Sequence, residues 1–249
     1  MFTTLEALDT QKHAELCYRG VEGYAFAHKV SWAPLACSEM VQAAREMPVM
    51  FTLGEAVRPV ALMGLKRDTN AFVDVDGAWR GRYVPAHLRR YPFVLGETGK
   101  EGEFVVMIDR DAPNFSLPEE AVEGAAPIFQ DGKPLAGGIV EKAREFLLDF
   151  QRELQQSERF LAPLKTHGVL VERQLTLTRN GRQEVVVNGF AMVDVERLKA
   201  LDDATLAEWA RSGLLGLVTA HLHSQGNSEA LRKARVNQPE ARQVDAVTS

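Results

Sequence analysis

"GVLVERQLTLTRNGRQEVVVNGFAMVD", residues 168–194, decides how this chain folds. Apolar residues alternate with polar ones on both sides of Asn180-Gly181, a pair suited to the backbone of a tight turn, so the stretch reads as two antiparallel strands. Two registers compete. A two-residue loop sets Leu177 opposite Glu184, whereas a three-residue loop of Arg179, Asn180 and Gly181 pairs 177 with 183 and 175 with 185. The second register puts Val169, Val171, Leu175, Leu177, Val185, Val187, Ala191 and Val193 on one face, and it is the expected one.

Immediately upstream, Ile139, Ala143, Phe146, Leu147, Phe150, Leu154 and Leu161 recur at helical spacing. They predict an amphipathic helix over 138–161 with Phe146 and Phe150 turned inward. Before it, "DAPNFSLPEEAVEGAAPIFQDGKPLAGG" (111–138) is rich in proline and glycine and reads as a long connection whose Phe115, Leu117, Ile128 and Phe129 need burial. Residues 24–110 are strand-rich, with the apolar runs "YAFAHKVSW", "PVMF", "PVALMGL", "NAFVDV", "YPFVLG" and "EFVVMID". A short helix over "PLACSEMVQAAREM" interrupts them and stops at Pro48. Asp76-Gly77 predicts a hairpin turn between "AFVDV" and "AWRGRYV".

Downstream of the hairpin the chain is helical. Asp202 or Asp203 is a candidate N-cap, Gly213 a stop, "LLGLVTAHLHSQGN" a buried helix and "SEALRKARV" a short closing one. The fold class is therefore α+β: a strand-rich N-terminal half with a short helix, a long central amphipathic helix, a β-hairpin and C-terminal helices. One domain over residues 1–236 is expected, with a subdivision near 111–138 as the alternative. Residues 237–249 lack core-forming side chains and are expected to be disordered.

The chain has 249 residues, 45% of them hydrophobic and 25% charged, which is enough to bury a sizeable core. A formal net charge of −5 argues against general nucleic-acid binding, which needs a broad basic surface. The N-terminal stretch does not read as a secretory signal, and no apolar run approaches the roughly 20 residues that span a bilayer. Cys17 and Cys37 stand in no metal-binding spacing and read as reduced thiols of a cytoplasmic protein.

Against that acidic background, "WRGRYVPAHLRRYPFVLG" (79–96) sets Arg80, Arg82, Arg89 and Arg90 among Trp79, Tyr83, Tyr91 and Phe93. Guanidinium groups fit carboxylates and phosphates and stack on aromatic faces. Trp79, Arg80, Arg82, Tyr83, Arg89, Arg90 and Tyr91 are thus the candidate binding residues, for an anionic small molecule or an acidic protein partner. The competing reading pairs these arginines with nearby Asp and Glu and lays their stems over apolar surface.

"PVMF", "ALMGL", "NAFVDVDGAWRGRYVPAHLRRYPFVLG" and "NGFAMVDVERLKAL…SGLLGLVTAHLHSQGN" together resemble the SapC family of bacterial proteins over roughly residues 13–232. The resemblance implies association with paracrystalline surface arrays, and with genes for outer-membrane receptors and flavin-dependent halogenase-like proteins. It transfers no catalytic residue. Three functions follow in order: a soluble binding or accessory protein; an enzyme, or an essential partner of a halogenase-like tailoring enzyme; a structural surface-layer component.

The remaining constellations are weak. Asp74/Asp76 and Asp109/Asp111 have Asp-x-Asp spacing that suits Mg²⁺ or Ca²⁺, but turn and loop roles account for them, so no metal is expected. His221 and His223, two apart on a helix, point about 200° from each other and cannot both ligate one metal. Ser224 lacks the glycines of a nucleophile elbow, and Gly137-Gly138 offers only a weak anion signal at a helix start. No cofactor signature is present.

Overall fold

Alternation with a period of two builds the main sheet, and the two faces of that sheet divide the core. The computed structural model describes residues 1–100, 102–179 and 182–236. The chain opens with β1 (Leu5–Ala7) and β2 (Cys17–Tyr18), then forms β3 (Trp32–Pro34), helix α1 (Cys37–Ala43), β4 (Val49–Thr52) and β5 (Pro59–Leu62). Strands β3, β4 and β5 join the hairpin β12 (Leu170–Arg179) and β13 (Arg182–Val193) in one antiparallel sheet of order β12-β13-β4-β5-β3. Ala33, Val49, Phe51, Ala61, Ala191 and Val193 enter the largest core cluster. Their neighbours Met50, Val60, Leu62, Phe190 and Met192 pack with Leu65 and Leu231 in another. Alternate residues of each strand thus serve opposite faces.

The hairpin register differs from the expected one. Leu177 lies opposite Glu184 and Arg179 opposite Arg182, which is the two-residue register; Asn180 and Gly181 themselves lie outside the described residues. Two irregularities, between Arg173 and Leu175 and between Leu175 and Thr176, then shift the pairing to Leu175 with Val187, Arg173 with Phe190 and Leu170 with Val193. Each shift adds one residue to β13, so the turn does not dictate the register at the buried end. Val171 consequently faces Met192 and does not share a face with Val193.

Two expected strands also shrink. Within 24–32, Ala25–Ala27 forms a single 3-10 turn and the strand begins only at Trp32. Around Asp76-Gly77 the turn forms, but only the bridge Val73–Trp79 follows it. Polar side chains have taken the backbone donors there: Asn70 Oδ1 accepts from Phe72 N, and Asp74 Oδ1 accepts from Asp76 N and Ala78 N. Such local bonds compete with a ladder.

A second layer follows helix α2 (Ala86–Arg89). Strands β6 (Phe93–Glu97) and β7 (Phe104–Asp109) form a hairpin that β1 extends. The 111–138 connection contains only short pieces: β8 (Phe115–Ser116) and β9 (Ala126–Pro127) flank β2, and β10 (Phe129–Gln130) pairs with β11 (Lys133–Pro134). They bury Ile128 and Phe129 with Leu16, Phe93, Val106 and Ile108.

Helix α3 (Ile139–Thr166) runs five residues beyond the expected end and tolerates Pro163 in its last turn. Its first half places Val140, Ala143 and Leu147 in the cluster with Ile108, and its last turns place Leu161 and Leu164 in the largest core. Phe150 is buried, whereas Phe146 is half-buried and stacked on it, ring centroids 6.4 Å apart. Phe150→Ala is therefore expected to cost about 3 kcal/mol and Phe146→Ala about half as much, read as urea midpoints.

The C-terminal helices are α4 (Val195–Lys199), α5 (Asp203–Ser212), α6 (Leu214–Ser224) and α7 (Ser228–Val236). Asp202 caps α5 by accepting from Thr205 N at 2.9 Å, and Gly213, at φ 87°, separates α5 from α6. The architecture is α+β. Residues 237–249, expected to be disordered, lie outside the described residues.

Candidate functional site

The arginine segment is anchored through its aromatic residues and its backbone. Trp79 stacks on Phe72, centroids 5.5 Å apart, leans on Tyr24 at 5.4 Å, and donates its Nε1–H to the Tyr83 carbonyl at 3.1 Å. Gly81 allows this closeness, because a Cβ there would sit 2.8 Å from Trp79 Nε1 and 2.9 Å from Glu46 Oε1.

Two carboxylates from α1 and the turn after it then hold the chain. Glu46 accepts Arg82 N at 2.9 Å and Tyr83 N at 2.7 Å. Glu39, only 5% exposed, accepts the Tyr83 hydroxyl at 2.6 Å and Ala86 N at 2.7 Å on Oε1, and Ala36 N at 2.8 Å on Oε2. Burial and the Glu39 carboxylate raise the Tyr83 phenol well above its ordinary range, so it stays a donor. These acids therefore bind backbone and hydroxyl groups rather than guanidinium groups.

The arginines themselves diverge. Arg80 pairs with Asp74 at 3.3 Å on the turn. Arg82 is exposed. Arg89, also exposed, donates Nε–H to the Val84 carbonyl at 3.1 Å and lies 5.4 Å from the centroid of the Phe146 ring on α3. Arg90 is half-buried, 5.5 Å from the centroid of Phe2, and its Nε is enclosed without a hydrogen-bond partner. Burial pulls its guanidinium down to about 10, still protonated at neutral pH.

Tyr91 is buried, stacked on Phe26 at 3.9 Å and tilted against Phe2 at 5.7 Å. Burial and the Asp109 carboxylate push its phenol up to about 12. A cis Tyr91-Pro92 peptide leads into β6. Trp79 and Tyr83 thus lie on the core side, Arg82 and Arg89 reach outward, and Arg90 with Tyr91 shares Phe2. Among the described residues, no carboxylate stands within ion-pair distance of Arg82, Arg89 or Arg90.

The other candidates have structural partners. Asp109 accepts Thr3 N and Thr4 N, Asp111 accepts the Thr4 hydroxyl, and Asp74 holds its turn. His221 is fully buried and hydrogen-bonded to the main sheet, while His223 is exposed. Ser224 Oγ accepts Val49 N at 2.9 Å and donates to the His221 carbonyl. Cys17 and Cys37 are free thiols, and Gly137 N donates to Glu141. A separate open cleft of about 390 Å³ lies between the β6–β7 hairpin and α3, lined by Leu95, Phe104, Val106, Arg144 and Leu148 among others. None of the seven candidate binding residues lines it.

Sequence reading missed Glu39, Glu46, Phe2 and His87. Glu39 carries a local signal, a glutamate near the start of a short helix where it can reach back to a free N–H. His87 lies within the arginine segment itself, one helical turn before Arg90, while Glu46 and Phe2 are brought in by tertiary contacts that no local spacing marks.

A family model described as SapC matches residues 8–231. No curated protein and no solved structure matches the chain.

Proposed function

The chain belongs to the SapC family, and from that premise we propose that it acts by binding, engaging an acidic protein partner or an anionic small molecule through the arginine face of residues 79–91. One observation carries this reading. Glu39 and Glu46, the acids that hold this segment, are occupied by backbone N–H groups and the Tyr83 hydroxyl, so Arg82 and Arg89 are exposed without a carboxylate partner among the described residues. Arg89 is tethered to the Val84 carbonyl and set near Phe146. Trp79, Tyr83 and Tyr91 support that face from behind by fixing the backbone that carries the arginines. Arg80, paired with Asp74, lies at its edge. In this reading the protein is cytoplasmic and accessory to a surface-layer or cell-envelope system, the setting that the family resemblance implies.

The double variant Arg82→Gln/Arg89→Gln tests it. Both side chains are exposed, so stability should change by less than about 1 kcal/mol. The wild type should be retained on immobilised polyglutamate at low salt and released as salt rises, because exposed charge contacts are screened. The variant should elute at clearly lower salt. Equal elution of the two folded proteins would overturn the reading.

A further inference from the structure

Arg90 differs from its neighbours in being enclosed without being paired. Its Nε is buried and has no acceptor, whereas its terminal nitrogens, also without a protein acceptor among the described residues, are not enclosed in the same way. The guanidinium carbon lies 5.5 Å from the centroid of the Phe2 ring, so the charge sits against an aromatic face. A positive charge partly removed from water and left without a counter-charge is unfavourable, and an anion beside it would relieve it.

His87 lies three residues earlier on α2, on the same helical face as Arg90. Its ring has no hydrogen-bond partner among the described residues and is held neutral, pushed down to about 3 by burial and by the charges of Arg90 and the Met1 amino group. A neutral imidazole offers one N–H donor, here one helical turn from Arg90. Phe2, tilted against the buried Tyr91, sets an apolar ring next to the Arg90 guanidinium.

We propose that Arg90 and His87 form a seat for the carboxylate of a small aromatic acid, with the carboxylate bound by the terminal Arg90 nitrogens and the His87 N–H, and the ring against Phe2. A carboxylate matches the planar fork with two parallel hydrogen bonds, and an aromatic body matches the Phe2 wall. The site rests on the binding reading of the arginine face and gives it a ligand class. Arg82 and Arg89 then form the outer approach, and Arg90 the anchor.

Benzoate is the probe, with acetate and inorganic phosphate as comparisons, followed through the ¹H–¹⁵N signals of arginine Nε groups in the full chain. Benzoate should shift the Arg90 Nε signal saturably, and acetate and phosphate should bind more weakly. Arg90→Gln should weaken benzoate by about tenfold or more, the range for a charge-assisted hydrogen-bond pair. His87→Leu should weaken it several-fold, and Arg232→Gln, an exposed arginine paired with Glu229 on α7, should leave it unchanged. Should Arg90→Gln not fold, the wild-type Nε titration still decides. A non-saturating titration, unchanged benzoate affinity in folded Arg90→Gln, or tighter binding of phosphate than benzoate would overturn the proposal. If benzoate fails while Arg82- and Arg89-dependent retention on polyglutamate persists, this ligand class falls and the wider binding reading stands. Loss of both defeats both.

Discussion

Glu39→Ala is expected to lower the unfolding free energy by about 4–6 kcal/mol, a large part of what a domain typically has. The carboxylate is almost wholly buried, and its three partners are Ala36 N, Ala86 N and the Tyr83 hydroxyl. Alanine leaves all three donors without an acceptor, and each stranded buried donor costs about 1–3 kcal/mol. Two conservative variants separate the parts. Glu39→Gln can keep an oxygen facing Tyr83 and Ala86, but then turns its NH₂ toward Ala36 N–H, so it should cost about 1–3 kcal/mol. Tyr83→Phe removes one charge-assisted bond and leaves both backbone donors satisfied, at about 1.5–3 kcal/mol. Urea unfolding of the three variants provides the measurement. A Glu39→Ala midpoint close to wild type would mean that α1 and the arginine segment are not joined through this carboxylate. The same variant should also release the Tyr83–Ala86 backbone, so polyglutamate retention should fall even where the protein remains folded.

The parts of the fold that were legible in the sequence are those in which one physical signal acted alone. Ile139 to Leu161 carry helical spacing with no competing pattern, and the helix forms there. Asp202 and Gly213 are local punctuation, and each ends or starts a helix as its chemistry requires. The errors fall where two signals compete. Around Asn70 and Asp74, alternation suggested a strand, but the polar side chains captured the backbone donors. In the hairpin, the three-residue loop is favoured by the one continuous apolar face it assembles, but the strand ends pair in the two-residue register, and two shifts in β13 then change the pairing toward Ala191 and Val193. The candidate site was legible only as composition. The spacing of four arginines among aromatic residues gave no means of telling Arg80, which pairs with Asp74, from Arg90, which is enclosed beside Phe2. Arg80 is set apart by Asp74, six residues away across a turn, and Arg90 by Phe2, distant in sequence from the segment.

Acidification should destabilise the protein from about pH 6.5 downward, before carboxylates begin to titrate in the unfolded chain, because His221 is buried in its neutral form. Its Nδ1–H donates to the Val49 carbonyl at 2.7 Å, and its Nε2 accepts Val193 N–H at 3.1 Å, so one neutral tautomer joins α6 to both β4 and β13. Burial pushes its pKa down to about 4, with the Val49 carbonyl acting in the opposite direction. Between about 6.5 and 4 the unfolded chain holds a proton on this residue that the folded chain does not. Stability therefore rises with pH across that window and is insensitive to this group above it, with a slope approaching about 1.4 kcal/mol per pH unit and a total near 3 kcal/mol by pH 4. His87, also pushed down by burial, adds to the loss in the same direction. His221→Ala should cost about 3–5 kcal/mol at neutral pH, through the cavity beside Phe51 and the stranded Val193 N–H, while Gln225 continues to donate to Val49 O. The variant should also reduce the pH slope, because one of the two depressed histidines is gone. Urea unfolding between pH 7.5 and 4.5 measures both effects together. A wild-type slope near zero in that range, or a variant that keeps the full slope, would mean that His221 takes up its proton in the folded state and that the Val193 contact is not a hydrogen bond to a neutral ring.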